Sequence, residues 1–252
     1  MNNSEPLRQP LDTLLNWTRI DEDWNGRWDA ARLAAIEREL DAALFKRGDE
    51  GAAGGGYALL WRWARLSHFR AMQVLEALAL GERDKKSAHQ EALRHFEAAA
   101  QEAESALKLE PNRVEGFFWA GSCALEAARL SSPVAGARAL KPAQKRIEKA
   151  VAVDETFHFG GPLRVWGRLT HLKPFVMGGN LNHALEIYRR AVQVAPDNST
   201  TLLYHAQALL ADRQPGLART TLQKIIAAPE DAAWKWEQAR DKRVAREELG
   251  KL

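Results

Sequence analysis

ALEIYRRAVQVAP, Ala184 to Pro196, is the stretch that decides the fold. Ala184, Tyr188 and Ala191 fall on one face of a helix, and Pro196 ends the run. The pattern then repeats. Leu202, Ala206 and Leu209 form one stripe, and Ala218, Leu222 and Ile225 form the next. Upstream, Ala99, Ala103 and Ala106 are followed by Pro111, which stands five residues after Ala106 as Pro196 stands five after Ala191. A helix with so narrow an apolar stripe cannot bury it alone. Recurring stripes therefore imply antiparallel helix pairs that stack into one continuous core.

Working outward, the chain divides into such pairs. Tyr57 to Leu80 reads as a long helix, GERDKK as a turn, and Ser87 to Leu109 as the returning helix. Val114 to Leu130 is the next outer helix. SSPVAGARALKP is expected to be a loop, with the partner helix running from Pro142 to Val153. The third pair starts at Gly161-Pro162 and is completed, after LKPFVMGGN, by Leu181 to Val194. Ser199 to Asp212 and Pro215 to Ala228 make the fourth. Residues 1–10 read as loose, Leu11 to Arg19 as a short helix and Asp29 to Arg47 as an amphipathic helix broken by the glycines from Gly48 to Gly56. The expected organisation is an N-terminal helical extension over 1–56 and a solenoid over 57–252. Within the solenoid, a helix over 231–249 caps the otherwise exposed last pair.

An Ala-x3-aromatic step closing on Pro resembles the second half of a tetratricopeptide (TPR) repeat, so the fold class is all-α, a TPR-like right-handed superhelix of about four helix pairs. Low β-branched content and the absence of alternating runs agree with this. If Ala64, Gly121, Gly167 and Ala206 are aligned as the small packing residue of each first helix, Gly167 marks a close helix approach.

Hydrophobic residues make up 46% and charged residues 27%, as in an ordinary folded protein. Residues 1–50 hold seven Lys/Arg against eleven Asp/Glu, a net −4, which leaves +7 for the remainder of a chain at +3. No dense basic stripe or nucleic-acid module is visible, so nucleic acid is not an expected partner. Cys123 is alone in a small-residue context, AGSCALEAA, and reads as buried and inert. No apolar run approaches about 18 residues, and MNNSEPLRQP lacks the features of a signal peptide, so the default expectation is cytoplasmic.

FHFGGPLRVWGRLTHLKPFVMGGNLNHALEIYRRAVQVAPDNSTTLLYHAQALL resembles the T-component of TRAP transporters, through Gly160-Gly161-Pro162, Arg164, Gly167, Pro174, Gly178-Gly179 and the repeat helix that follows. YALLWRWARLSHF and the helix layout are also similar to the regulator-of-microtubule-dynamics proteins. The first resemblance implies a trimeric helical protein that contacts a substrate-binding protein and holds a small ligand. Those proteins carry an export or lipoprotein signal.

Chemistry is sparse. The seven histidines form no His-Glu-x-x-His pair or zinc spacing, no nucleophile elbow is present, and Cys123 has no local histidine, so no enzyme, metal or cofactor is expected. The Gly160 to Pro162 turn reads either as a plain inter-helix turn or as a helix start able to cradle an anion. The alignment directs Trp61, Arg65, His68 and Phe69 into the concave groove, with Phe118, Ser122 and Glu126 beside them. Arg164, Arg168, His171, Leu203 and Gln207 follow from the later pairs. Arginines among aromatics suit a carboxylate or an acidic peptide, because guanidinium binds carboxylate in a bidentate way. Trp63, Trp119 and Trp166 read as core, and Trp17, Trp24 and Trp28 either as filling the open end of the first repeat or as anchoring a partner. The leading expectation is a non-catalytic scaffold binding a protein or peptide in its groove. The alternative is a ligand-binding accessory component of a TRAP-type transporter, with homo-oligomerisation open to both.

Overall fold

A computed structural model describes residues 15–50 and 56–252. Among these, the chain is helical throughout, in the order α1 (Trp17–Trp24), α2 (Ala30–Glu50), α3 (Tyr57–Ala79), α4 (Lys85–Leu109), α5 (Val114–Leu130), α6 (Pro133–Asp154), α7 (Phe157–Leu172), α8 (Leu181–Val194), α9 (Ser199–Ala211), α10 (Pro215–Ala227) and α11 (Lys235–Leu249). Short 3-10 turns cover Phe175–Met177 and Ala232–Trp234. The expected loose residues 1–10 and the start of the Leu11 helix lie outside the described residues.

The pairs α3/α4, α5/α6, α7/α8 and α9/α10 pack as the repeat pattern requires. Their starts are fixed by side-chain caps. Asp84 accepts from the Ser87 amide (2.9 Å), Asn180 from that of His183 (3.0 Å) and Asn198 from that of Thr201 (3.0 Å). The small residues allow close contact. Ala64 and Ala206 are fully buried, and a Cβ on Gly121 would stand 2.7 Å from Ile147. A Cβ on Gly167 would stand 2.8 Å from the Tyr188 ring, which is the close approach the alignment assigned to it.

Three boundaries differ from the sequence reading. The stretch expected to be a loop before Pro142 is the first part of α6: Ser132 caps it, Pro133 occupies the first turn, and Pro142 lies inside the helix. An internal proline loses one helical hydrogen bond, but here it follows an alanine-rich start that already has a nucleus. The second difference is at Gly48, where α2 does not break but continues to Glu50; residues 51–55 of the glycine stretch lie outside the described residues. The third is at α1, where the helix expected over Leu11 to Arg19 starts at Trp17, capped by Asn16, and continues to Trp24. At α7 the predicted start holds: His158, Phe159 and Gly160 have φ of 51°, 58° and 70°, a left-handed turn, so that regular helix begins at Gly161.

The two ends of the chain decide the shape. Ile20, Trp24, Leu33, Ile36 and Leu40 of α1 and α2 bury against Leu59, Leu66 and Phe69 of α3, so the N-terminal helices extend the solenoid core. Helix α11 covers the last pair, with Ala245 buried among Leu202, Leu203, Leu222 and Ile225. The buried Asp241 of α11 also accepts hydrogen bonds from Ser199 (2.7 Å) and Thr200 (2.6 Å) at the start of α9. The same helix then reaches back to the N-terminal end. Arg27 donates to both Glu237 oxygens (2.7 Å each) and to the Ala233 carbonyl (2.9 Å). Arg243 donates to Glu76 (2.8 and 2.9 Å), and Trp236 meets the Phe69 ring edge-on at 5.1 Å. The concave groove is therefore walled across by α11.

Candidate functional site

Closure of the superhelix leaves a cavity of about 580 Å³ on its concave side. The first helix of each pair contributes one wall: Arg65, His68 and Phe69 from α3, Phe118, Trp119 and Ser122 from α5, Arg164 and Arg168 from α7, and Tyr204 from α9. The remaining sides come from the start of α6, with Pro133, Gly136, Ala137 and Leu140, and from the two chain ends, Trp24 and Arg27 against Trp234, Trp236 and Glu237.

His158 sits centrally in this aromatic lining. Its ring lies 5.3 Å from that of Trp119, 5.2 Å from Trp234 and 5.6 Å from Phe118. His68 packs edge-on to the other side of Trp119 at 5.4 Å. Burial pushes the His68 pKa down to about 4, and it lowers that of His158 well below the ordinary value, helped by the charges of Arg164, Arg27 and Arg65. Both imidazoles are neutral at pH 7. His158 owes its position to the left-handed turn, a conformation that costs roughly 1–2 kcal/mol per non-glycine residue. Arg164 supports that turn by donating to the Phe159 carbonyl at 3.2 Å.

The arginines of the wall are not equivalent. Arg27 is paired with Glu237 and Arg240 with Asp241 (2.7 Å), while Arg65 (2.8 Å) shares Asp21 with Arg62. Arg164 is buried, and its partners among the described residues are neutral oxygens: the Phe159 carbonyl, Asn198 Oδ1 (3.4 Å) and Thr201 Oγ1 (3.4 Å). Burial pushes its pKa down to about 10, which still leaves it charged at pH 7. One turn on, Arg168 donates to Gln207 Oε1 (2.7 Å) and lies over the Tyr204 ring, 4.4 Å from its centroid. Arg164 and Arg168 thus form a positive end of the cavity, and Lys173, bonded to Gln144 (2.8 Å), adds a further cation to its wall.

Of the groove residues expected from sequence, Arg65, His68, Phe69, Phe118, Ser122, Glu126, Arg164 and Arg168 line the cavity. Trp61 does not. It is buried in the core, with the Arg62 and Arg65 guanidinium groups 4.2 and 5.0 Å from its ring. Leu203 is core beneath α11, Gln207 holds Arg168 from behind, and His171 lines a separate shallow hollow beside Asn180. Trp119, expected to be core, is buried yet forms part of the wall. Trp24 fills the open end as expected and also faces the cavity, whereas Trp28 stays 46% exposed beneath Lys235. The sequence reading missed Arg27, His158, Trp234, Trp236 and Glu237. Only His158 carried a local signal, next to a Gly-Gly-Pro turn; the others reach the site through contacts some 200 residues apart in the chain. Cys123 is buried, which pushes its thiol pKa up. Among the described residues, no His/Cys/Asp/Glu group could hold a metal ion, and no helix is long and apolar enough to cross a membrane.

Comparison with known proteins fits this geometry. The profile of the TRAP transporter T-component matches residues 62–239. The chain belongs to the TRAP transporter T-component family. Among solved structures it is similar to TTC0263, a thermophilic TPR protein of Thermus thermophilus, with 14% identity, a TM-score of 0.58, and 93% of this chain and 97% of that one covered. The yeast Tom70 structure aligns at 12% identity and a TM-score of 0.35, covering 92% of this chain and 58% of its own. No curated protein matches. This T-component chain therefore has the TPR-like fold its repeats announced. The matched segment runs from α3 into α11 and includes both Arg164 and the Gly-Gly-Pro turn.

Proposed function

We propose that this T-component is a non-catalytic ligand-binding accessory of a TRAP-type uptake system, and that it holds a small amphipathic acid in the concave cavity. The observation that carries the reading is Arg164, a buried guanidinium with no carboxylate partner among the described residues, set in an aromatic lining. Burying a guanidinium costs several kcal/mol; the fields of Asp241 and Glu237 favour its charge, but neither carboxylate bonds it, and a ligand carboxylate offsets the remaining cost through a bidentate pair. The aromatic rings then receive the apolar body. A peptide lying along an open groove fits less well, because α11 occupies the concave side. A protein partner fits better at the rim, where Phe175 and Val176 are 88% and 91% exposed beside the mouth residues Pro174 and Met177.

The test is calorimetric titration of the full chain with decanoate. Arg164→Met keeps an apolar stem and removes the charge. It should weaken binding by about tenfold or more while helicity and melting temperature hold, since a desolvated charge pair is worth about 1.5–3 kcal/mol. Full affinity in that variant would dismiss the acid-binding reading.

A further inference from the structure

The α5 wall of the cavity carries a second polar feature, distinct from the arginine end. The Trp119 indole N–H and the Ser122 hydroxyl are both buried, at 3% and 5% exposure, and neither has a hydrogen-bond partner among the described residues. They stand three residues apart on one helix and both lie on the cavity wall. An unpaired buried donor costs roughly 1–3 kcal/mol, so two on one helix face call for an acceptor. The indole can only donate, whereas the hydroxyl can donate or accept. Trp119 is held between the edges of His68 and His158, so its N–H has a fixed direction.

The chemistry of the pair identifies the acceptor. Glu126, one turn beyond Ser122 on the same helix and also on the cavity wall, is paired with Arg129 (2.9 Å), and Arg65 shares Asp21 with Arg62. The two open donors are themselves uncharged, so a neutral oxygen satisfies them without taking a second charge out of water. His158 lies between the two ends, in contact with Trp119 on one side and, on the other, with Trp234, whose ring centroid is 5.4 Å from the Arg164 guanidinium.

We infer that the ligand carries, besides its acid group, an uncharged oxygen acceptor (hydroxyl, carbonyl or amide) that Trp119 and Ser122 hold on the α5 wall. This rests on the reading of the cavity as an acid-binding site. It makes the two residues specificity determinants: the arginine end selects an acid, and the α5 pair selects an oxygenated one. A site built to hydrogen-bond a ligand oxygen discriminates strongly against the analogue that lacks it.

The probes are decanoate and the positional isomers of hydroxydecanoate, titrated into the full chain. Affinity is read by calorimetry, and the Trp119 indole N–H is followed by ¹⁵N–¹H NMR with its signal assigned through Trp119→Phe. At least one isomer should bind about tenfold more tightly than decanoate and move that signal downfield. Ser122→Ala and Trp119→Phe should each erase the preference, read as the ratio of hydroxydecanoate to decanoate affinity within the same variant. Ser122→Ala keeps the test open should the tryptophan variant lose stability. Equal binding of all isomers, an unmoved indole signal or a preference that survives both variants would each overturn the inference and leave the acid site standing. If no acid binds the wild-type chain, the acid-site reading fails and this inference with it.

Discussion

At the residue scale, the tightest constraint is where two helices meet. Gly167 faces Tyr188, which is fully buried, and any side chain at 167 starts 2.8 Å from its ring. Gly167→Leu therefore overpacks the α7/α8 contact at a cost of about 1–3 kcal/mol, and should lower the melting temperature by roughly 5 °C in a circular dichroism melt. The histidines supply a second residue-scale effect. Burial lowers the pKa of His68 to about 4 and moves His95, His158, His171 and His205 in the same direction. In the unfolded chain these groups titrate near 6.5. Between pH 6.5 and 4 the unfolded chain takes up protons that the folded chain refuses, so stability falls as pH falls through that window. Melting temperature should drop by several degrees from pH 7.5 to pH 5, and His68→Gln should flatten the slope. A melting temperature independent of pH over that range would mean that the histidines are not desolvated. Gly167 was legible in the sequence because a glycine mid-helix has few other reasons to be there. The histidine environments were not, because burial is a property of neighbours brought from elsewhere in the chain.

At the element scale, α11 has two tasks carried by interleaved residues of one helix. Ala245 caps the stack, and Asp241 ties the helix to the start of α9. Trp236, Glu237 and Arg243 join it to the N-terminal end through Arg27–Glu237, Arg243–Glu76 and the Phe69–Trp236 ring contact. The cap follows from a stripe that the last repeat leaves uncovered. The closure is made by long side chains, and ion pairs of this kind lose much when one partner becomes neutral. Glu76→Gln combined with Glu237→Gln should loosen the seam while the cap holds. Iodide quenching of tryptophan fluorescence should rise, with far-ultraviolet dichroism unchanged. Quenching equal to that of the parent would show that the ring contacts alone keep α11 in place. The sequence identified the cap and its place in the chain, yet held no sign of the return to α1 and α3.

At the scale of the whole molecule, the T-component turns a repeat surface into a deep cavity with a mouth. A stack of four pairs has a concave face of first helices, and α11 walls one side of it by meeting the turn after α1 and the α3 helix. This arrangement places Arg164 away from bulk water, where a single charge pair contributes more than it does at a surface.

The sequence by itself determined the helix pairs, their register and the family, because these rest on local periodicity, capping residues and small residues at fixed spacing. It also pointed to Arg164 and Arg168 as a pair on one helix face. Only the tertiary structure decided that Trp61 is core while Trp119 is wall, that Arg164 bonds no carboxylate, and that α11 walls one side of the groove. Each of these depends on contacts between segments far apart in the chain, such as Arg27 with Glu237, and repeat periodicity describes only how each helix meets its neighbours.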